Sequence, residues 1–160
     1  MNVKLIPGLA LALLLSATLL TPVSAEEAIS PGPGDRCPVC GMFVAPHPNW
    51  VTAIAFKDGS RVFFDGPKDM IRYYLSFADY NKTRTLEDVA GVFVTEYYST
   101  RQMAAEEVFF VLGSDVMGPM GKELIPIAGR EAAETFLRDH RGEKITTFAE
   151  IVGPGVPQSR

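Results

Sequence analysis

The stretch Trp50-Val51-Thr52-Ala53-Ile54-Ala55-Phe56-Lys57-Asp58-Gly59-Ser60-Arg61-Val62-Phe63-Phe64-Asp65-Gly66-Pro67 decides the fold class. From Trp50 to Phe56, Val51, Ala53 and Ala55 alternate with Thr52, Ile54 and Phe56, the period of two that marks a strand. Asp58-Gly59 is a tight-turn signal, and Arg61 to Phe64 returns as a second strand. Asp65 then stands where it can cap a helix that begins at Pro67, since proline suits a first turn. Met70, Ile71, Tyr74, Leu75 and Phe77 recur at helical spacing. The helix is therefore expected to end near Ala78, with one face on the sheet.

Toward the C-terminus, Asn81 to Asp88 is polar and reads as a loop. Val92 to Tyr98 is a third strand, rich in β-branched and aromatic residues. The order then recurs. Glu107 to Leu112 is a strand, Gly113 to Gly121 a turn-rich loop, and Glu123 to Ile127 a strand that Pro126 places at an edge. Arg130 to Arg141 is a helix with Ala132, Ala133, Phe136 and Leu137 on one face and Gly142 as its stop. Lys144 to Phe148 is a last strand. The expected class is α+β, with two related ββαβ units packed into one compact domain.

Toward the N-terminus, Pro31-Gly32-Pro33-Gly34 can be neither helix nor central strand, so residues 26–36 read as a linker. Residues 1–25 read as a cleaved signal peptide: Lys4 is the positive start, an apolar run follows to Leu20, and Val23-Ser24-Ala25 supplies small residues for cleavage. That run is shorter than the roughly 20 residues a membrane-spanning helix needs. No cysteine directly follows it, as a lipid anchor would require. The expectation is a soluble exported protein with its domain at residues 37–152, in units of about 37–100 and 101–152, and a frayed tail at 153–160. A net charge of −4 without an arginine-rich run argues against nucleic acid as a partner.

The chemistry concentrates in Cys37-Pro38-Val39-Cys40-Gly41-Met42, which holds both cysteines of the chain. Two thiols and a thioether are soft donors that favour copper(I), with zinc and iron–sulfur clusters as competitors. A second stretch, Ser114-Asp115-Val116-Met117-Gly118-Pro119-Met120-Gly121, puts two methionines on a glycine- and proline-bracketed loop. Core methionines normally sit on periodic elements. Copper(I) accepts two or three soft ligands, so Cys40, Met42 and Met120 suffice if the two loops share an edge. Cys37 or His47 would be additional ligands, Met117 is assigned to packing, and His140 to complementing a helix dipole.

Other readings stay open. The two cysteines could form a disulfide in an oxidising compartment. They could be a thiol–disulfide oxidoreductase couple, although such couples usually sit at a helix N-terminus, and prolines and glycines follow here. Structural zinc usually needs four protein ligands, and two cysteines with two scattered histidines do not offer a closed set. Asp65, Asp69, Glu106 and Glu107 read as isolated carboxylates with capping or solvation roles. No Gly-x-Ser-x-Gly, His-Glu-x-x-His or phosphate-binding glycine loop is present, so no enzyme is expected.

Cys37-Pro-Val-Cys-Gly-Met-Phe-Val, Phe56-Lys-Asp-Gly-Ser, Phe63-Phe-Asp-Gly-Pro-Lys-Asp and Gly118-Pro-Met-Gly-Lys-Glu-Leu-Ile-Pro together resemble the NosL family, accessory proteins of nitrous oxide reductase. The resemblance runs from about Arg36 to Ile151. It implies a periplasmic copper(I) chaperone of two ββαβ-type units. Such a chaperone would deliver copper toward the copper–sulfur centre of nitrous oxide reductase, through the periplasmic component of a transporter complex. By position, Cys40 and Met42 belong to the first motif and Met120 to the second. Family members are commonly lipoproteins, and that feature does not carry over to this chain. Whether copper loading produces a homodimer is left open.

Overall fold

The computed structural model describes residues 30–153, so the expected signal peptide and nearly all of the expected tail lie outside the described residues. The hairpin forms as its alternation dictates. Strand β1 (Thr52–Phe56) pairs antiparallel with β2 (Arg61–Phe64), and Gly59 takes the left-handed φ of 83° that closes the turn. Helix α1 (Pro67–Leu75) follows, then a short helix α2 (Phe77–Tyr80) after a break at Ser76. Strand β3 (Val89–Thr95) returns beside β1, and β4 (Gln102–Ala104) pairs on its outer side, giving the sheet order β2-β1-β3-β4.

The second half places β5 (Phe109–Leu112) first and then a small hairpin of β6 (Met117–Gly118) and β7 (Gly121–Lys122). Strand β8 (Ile125–Ile127), helix α3 (Arg130–Asp139), strand β9 (Lys144–Thr147) and helix α4 (Phe148–Val152) complete it. Its sheet has the order β8-β5-β9, all antiparallel. In each sheet the first strand of the set is central, and a helix connects the second to the third. Pro126 lies on the edge strand β8, where its missing N–H costs no ladder bond.

Strand β5 organises the packing because successive side chains leave opposite faces. Phe110 joins the core formed by Ile54, Phe64, Met70, Tyr74, Val92 and Phe148. Val111, one residue on, joins the second core with Ile125, Ile127, Ala133 and Phe136. Tyr74 of α1 meets Phe148 of α4 edge-on at 5.2 Å between centroids.

Several boundaries differ from expectation for local reasons. Strand β3 begins at Val89 and stops at Thr95, because the Glu96 carboxylate accepts from Ser99 N and Oγ and turns the chain into β4. Asp65 does not cap α1. The N-cap is Gly66, with no side-chain bond, and Asp65 is engaged elsewhere. Helix α3 ends at Asp139, and Arg141 rather than Gly142 takes the left-handed φ, 55°. Gly142 N instead donates to Leu137 O at 2.8 Å. Phe148 leaves the strand and opens α4, which Thr147 and Glu150 cap reciprocally.

Candidate metal centre

The cysteine loop is a compact knuckle. Gly41 N donates to Cys37 O at 2.8 Å and Cys37 N to Met42 O at 2.9 Å, with Gly41 at φ 80°. Residues other than glycine seldom adopt that φ, so the turn depends on Gly41. Arg36 braces it from outside: its guanidinium donates to Gly41 O at 2.8 Å and lies 3.6 Å from the Phe43 ring centroid. The curl directs backbone N–H groups at sulfur, those of Val39 and Cys40 toward Cys37 and that of Met42 toward Cys40. Such an arrangement favours a thiolate.

Opposite the loop stands the start of α1. Both cysteines are free thiols. Cys37 Sγ donates to Asp69 Oδ2 at 3.5 Å, and Cys40 Sγ donates to Asp65 Oδ1 at 3.2 Å. One donor atom from each of these four residues lies within 4.8 Å of every other. Cys37 is 1% exposed, Asp65 1% and Asp69 4%, whereas Cys40 is partly open. Burial first, and the carboxylates facing them second, push both thiols above their ordinary value of 9.0.

This corrects the sequence reading of Asp65 and Asp69. They are not isolated carboxylates with capping or solvation roles. The available signal was a pair of acidic residues at a helix start, Asp65 just ahead of the N-cap Gly66 and Asp69 in the first turn. It was ambiguous, since acidic residues are common there for the helix dipole alone. The zinc argument changes with it, because two cysteines and two aspartates do offer four donors.

No ion pair among the described residues includes Asp65 or Asp69. Nearby Lys68 lies instead 3.7 Å from Glu123. Glu123 is buried, and burial, with Asp69 and Asp65 adding repulsion, raises it from 4.5 to about 7 against the opposing pull of Lys68. The site is thus a concentration of proton-bearing or negative groups short of cations. A metal ion would supply the missing charge.

The other expected ligands divide. Met42 follows Cys40 in the same loop and is partly buried. Met120 sits at the tip of the β6–β7 hairpin, 45% exposed, and its carbonyl accepts from Lys68 Nζ at 2.9 Å. The hairpin and the cysteine loop therefore both contact the first turn of α1. Met117, assigned to packing by the sequence, is instead 57% exposed on the same hairpin. His47 lies before a short 3-10 turn, Pro48–Trp50, and is partly buried. His140 is occupied elsewhere, stacked on Phe136 at 4.2 Å and 3.3 Å from Asp115. Among the described residues, no helix is long and apolar enough to cross a membrane.

Comparison with known proteins bears on this arrangement. A family model described as NosL matches residues 28–154. The crystal structure of the copper chaperone NosL from Shewanella denitrificans superposes with a TM-score of 0.63 at 21% identity, over 76% of this chain and 92% of that one. The solution structure of the apo-NosL protein from Achromobacter cycloclastes covers 67% of this chain and 94% of its own at 19% identity, with a TM-score of 0.45. No curated protein matches the chain. The matched segment takes in the cysteine knuckle, the aspartate pair and the methionine hairpin, so the protein is a member of the NosL family.

Proposed function

We propose that this protein is a periplasmic copper(I) metallochaperone. Copper is its cargo, held by Cys40 with Met42 and Met120 and with Cys37 as a further sulfur donor. It passes toward assembly of the copper–sulfur centre of nitrous oxide reductase through the periplasmic component of a transporter complex. The observation that carries the reading is the pair of thiols on a glycine-dependent knuckle, facing buried carboxylates that lack a cation. Soft sulfur selects a monovalent soft ion. A partly open Cys40 leaves an approach for a recipient's donors. Membership of a family with a solved copper chaperone supports the same reading.

The thiols argue against the oxidoreductase alternative. A redox nucleophile needs a lowered pKa, and burial raises both of these. In a copper(I)-chelator competition, Cys40→Ala should lose tight binding while keeping the parent circular dichroism spectrum. A variant that competes as well as the parent would remove the proposal.

A second reading rests on the four donors within 4.8 Å. A tetrahedral zinc ion with ligands at about 2.0–2.3 Å spaces its donors by about 3.3–3.8 Å, so a contraction of about 1 Å would close a Cys37-Cys40-Asp65-Asp69 set. X-ray absorption separates the two. Copper with sulfur-only neighbours supports the first reading, and zinc retained against chelator with mixed sulfur and oxygen neighbours supports the second.

A further inference from the structure

The β6–β7 hairpin has two residue pairs, Met117 with Lys122 and Gly118 with Gly121, and no third strand among the described residues. A hairpin of that size does not hold its position in water unaided. What holds it comes from α1. Lys68 Nζ donates to Met120 O at 2.9 Å and to Lys122 O at 3.0 Å, gripping the tip and the return strand. Glu123, directly after the hairpin, reaches back to accept from Lys68 N at 2.9 Å. The fit is close: a Cβ on Gly66 would stand 2.7 Å from Glu123 Oε1, and one on Gly118 would overlap Glu123 Cγ and come within 3.3 Å of Trp50 Cε3. Lys68 and Glu123 therefore join two segments far apart in sequence at the helix turn that also carries Asp69 toward Cys37.

We infer that Lys68 and Glu123 are positioning residues for the metal site: they dock the Met120 hairpin on the first turn of α1, the turn whose Asp69 accepts from Cys37, before an ion arrives. The inference rests on Met120 being a ligand, as proposed above. Its physical content is preorganisation. A donor on an untethered hairpin must be ordered when the ion binds, and that cost reduces affinity. Groups that orient a metal ligand without touching the ion typically change affinity by roughly 10–100-fold.

Lys68 also allows a sign test. A positive charge next to a bound cation repels it, so electrostatics alone predicts tighter copper(I) binding when the charge is removed. Docking predicts weaker binding. Chelator competition on the full mature protein would compare the parent with Met120→Ala, Lys68→Leu, Lys68→Arg and the Met120→Ala/Lys68→Leu double variant. The expected result is a loss of roughly 10-fold or more for Lys68→Leu. Lys68→Arg should restore most of it, and the double variant should be no weaker than Met120→Ala. Copper X-ray absorption should show the same drop in sulfur neighbours for Lys68→Leu as for Met120→Ala. Unchanged or tighter binding in Lys68→Leu, or losses that simply add in the double variant, would overturn the inference while Met120 stays a ligand. An unchanged Met120→Ala would overturn the ligand reading, and the inference with it.

Discussion

Glu123 offers the most direct physical test of the site before any metal is added. Its carboxyl is buried and raised from 4.5 to about 7. Between those values the unfolded chain has released this proton and the folded chain still holds it. The unfolded state then binds fewer protons, so stability falls as pH rises. The contribution is fully present below pH 4.5 and is lost by the time pH passes about 7. At ~1.4 kcal/mol per unit, that interval amounts to about 3 kcal/mol. Glu123→Gln keeps the shape and an oxygen to accept from Lys68 N but has no proton to lose. Urea unfolding of the metal-free parent and variant should be measured at intervals from pH 5 to 8. The difference isolates Glu123, because other carboxylates such as Glu96 and Glu150, which are lowered and lose stability as pH falls, titrate alike in both proteins. The variant should gain on the parent by about 2.5 kcal/mol across the range, since part of the change already lies below pH 5. A constant difference from pH 5 to 8 would show that the carboxyl is not held in its neutral form, and the electrostatic account of the site would fail.

Two further outcomes follow from the thiols. Both titrate above 9.0, so near neutrality each thiol that binds copper must release a proton. Copper(I) affinity should climb about tenfold per pH unit if Cys40 alone binds as thiolate and about a hundredfold if Cys37 joins it; a flat profile from chelator competition would exclude thiolate ligation. Asp65→Asn should lower the Cys40 thiol, because burial raises it first and the Asp65 carboxylate, which accepts from its Sγ, adds to that rise. Thiolate absorbance titrated on the metal-free variant reads this directly, and an unchanged or higher midpoint would contradict the assignment of Asp65.

Much of the architecture was legible because it rests on short-range patterns. The Asp58-Gly59 turn closes the hairpin, and the apolar spacing of α1 and α3 buries one face of each helix, except that Leu75 of α1 is 54% exposed. Strand β1 departs from its alternation, because it is central in the sheet and buries residues on both faces. Pro126 announced an edge strand through its missing donor. The capping box Thr147-Phe148-Ala149-Glu150 was equally readable and opens α4, although the apolar Phe148 drew it into the strand instead. Strand β4 was not readable, since Gln102-Met103-Ala104 has almost no pattern and forms by pairing with β3.

By itself the sequence determined the mixed α+β class, the β1–β2 hairpin with the helix after it, helix α3, the sulfur-rich loops and the soft-metal chemistry those loops suit, because these depend on neighbours in the chain. Only the tertiary structure decided that Asp65 and Asp69 face Cys37 and Cys40, and that Lys68 and Glu123 bind the methionine hairpin to the same helix turn. Those contacts span 25 to 55 residues, and a carboxylate that caps, dissolves or opposes a thiol is the same letter until the chain folds around it.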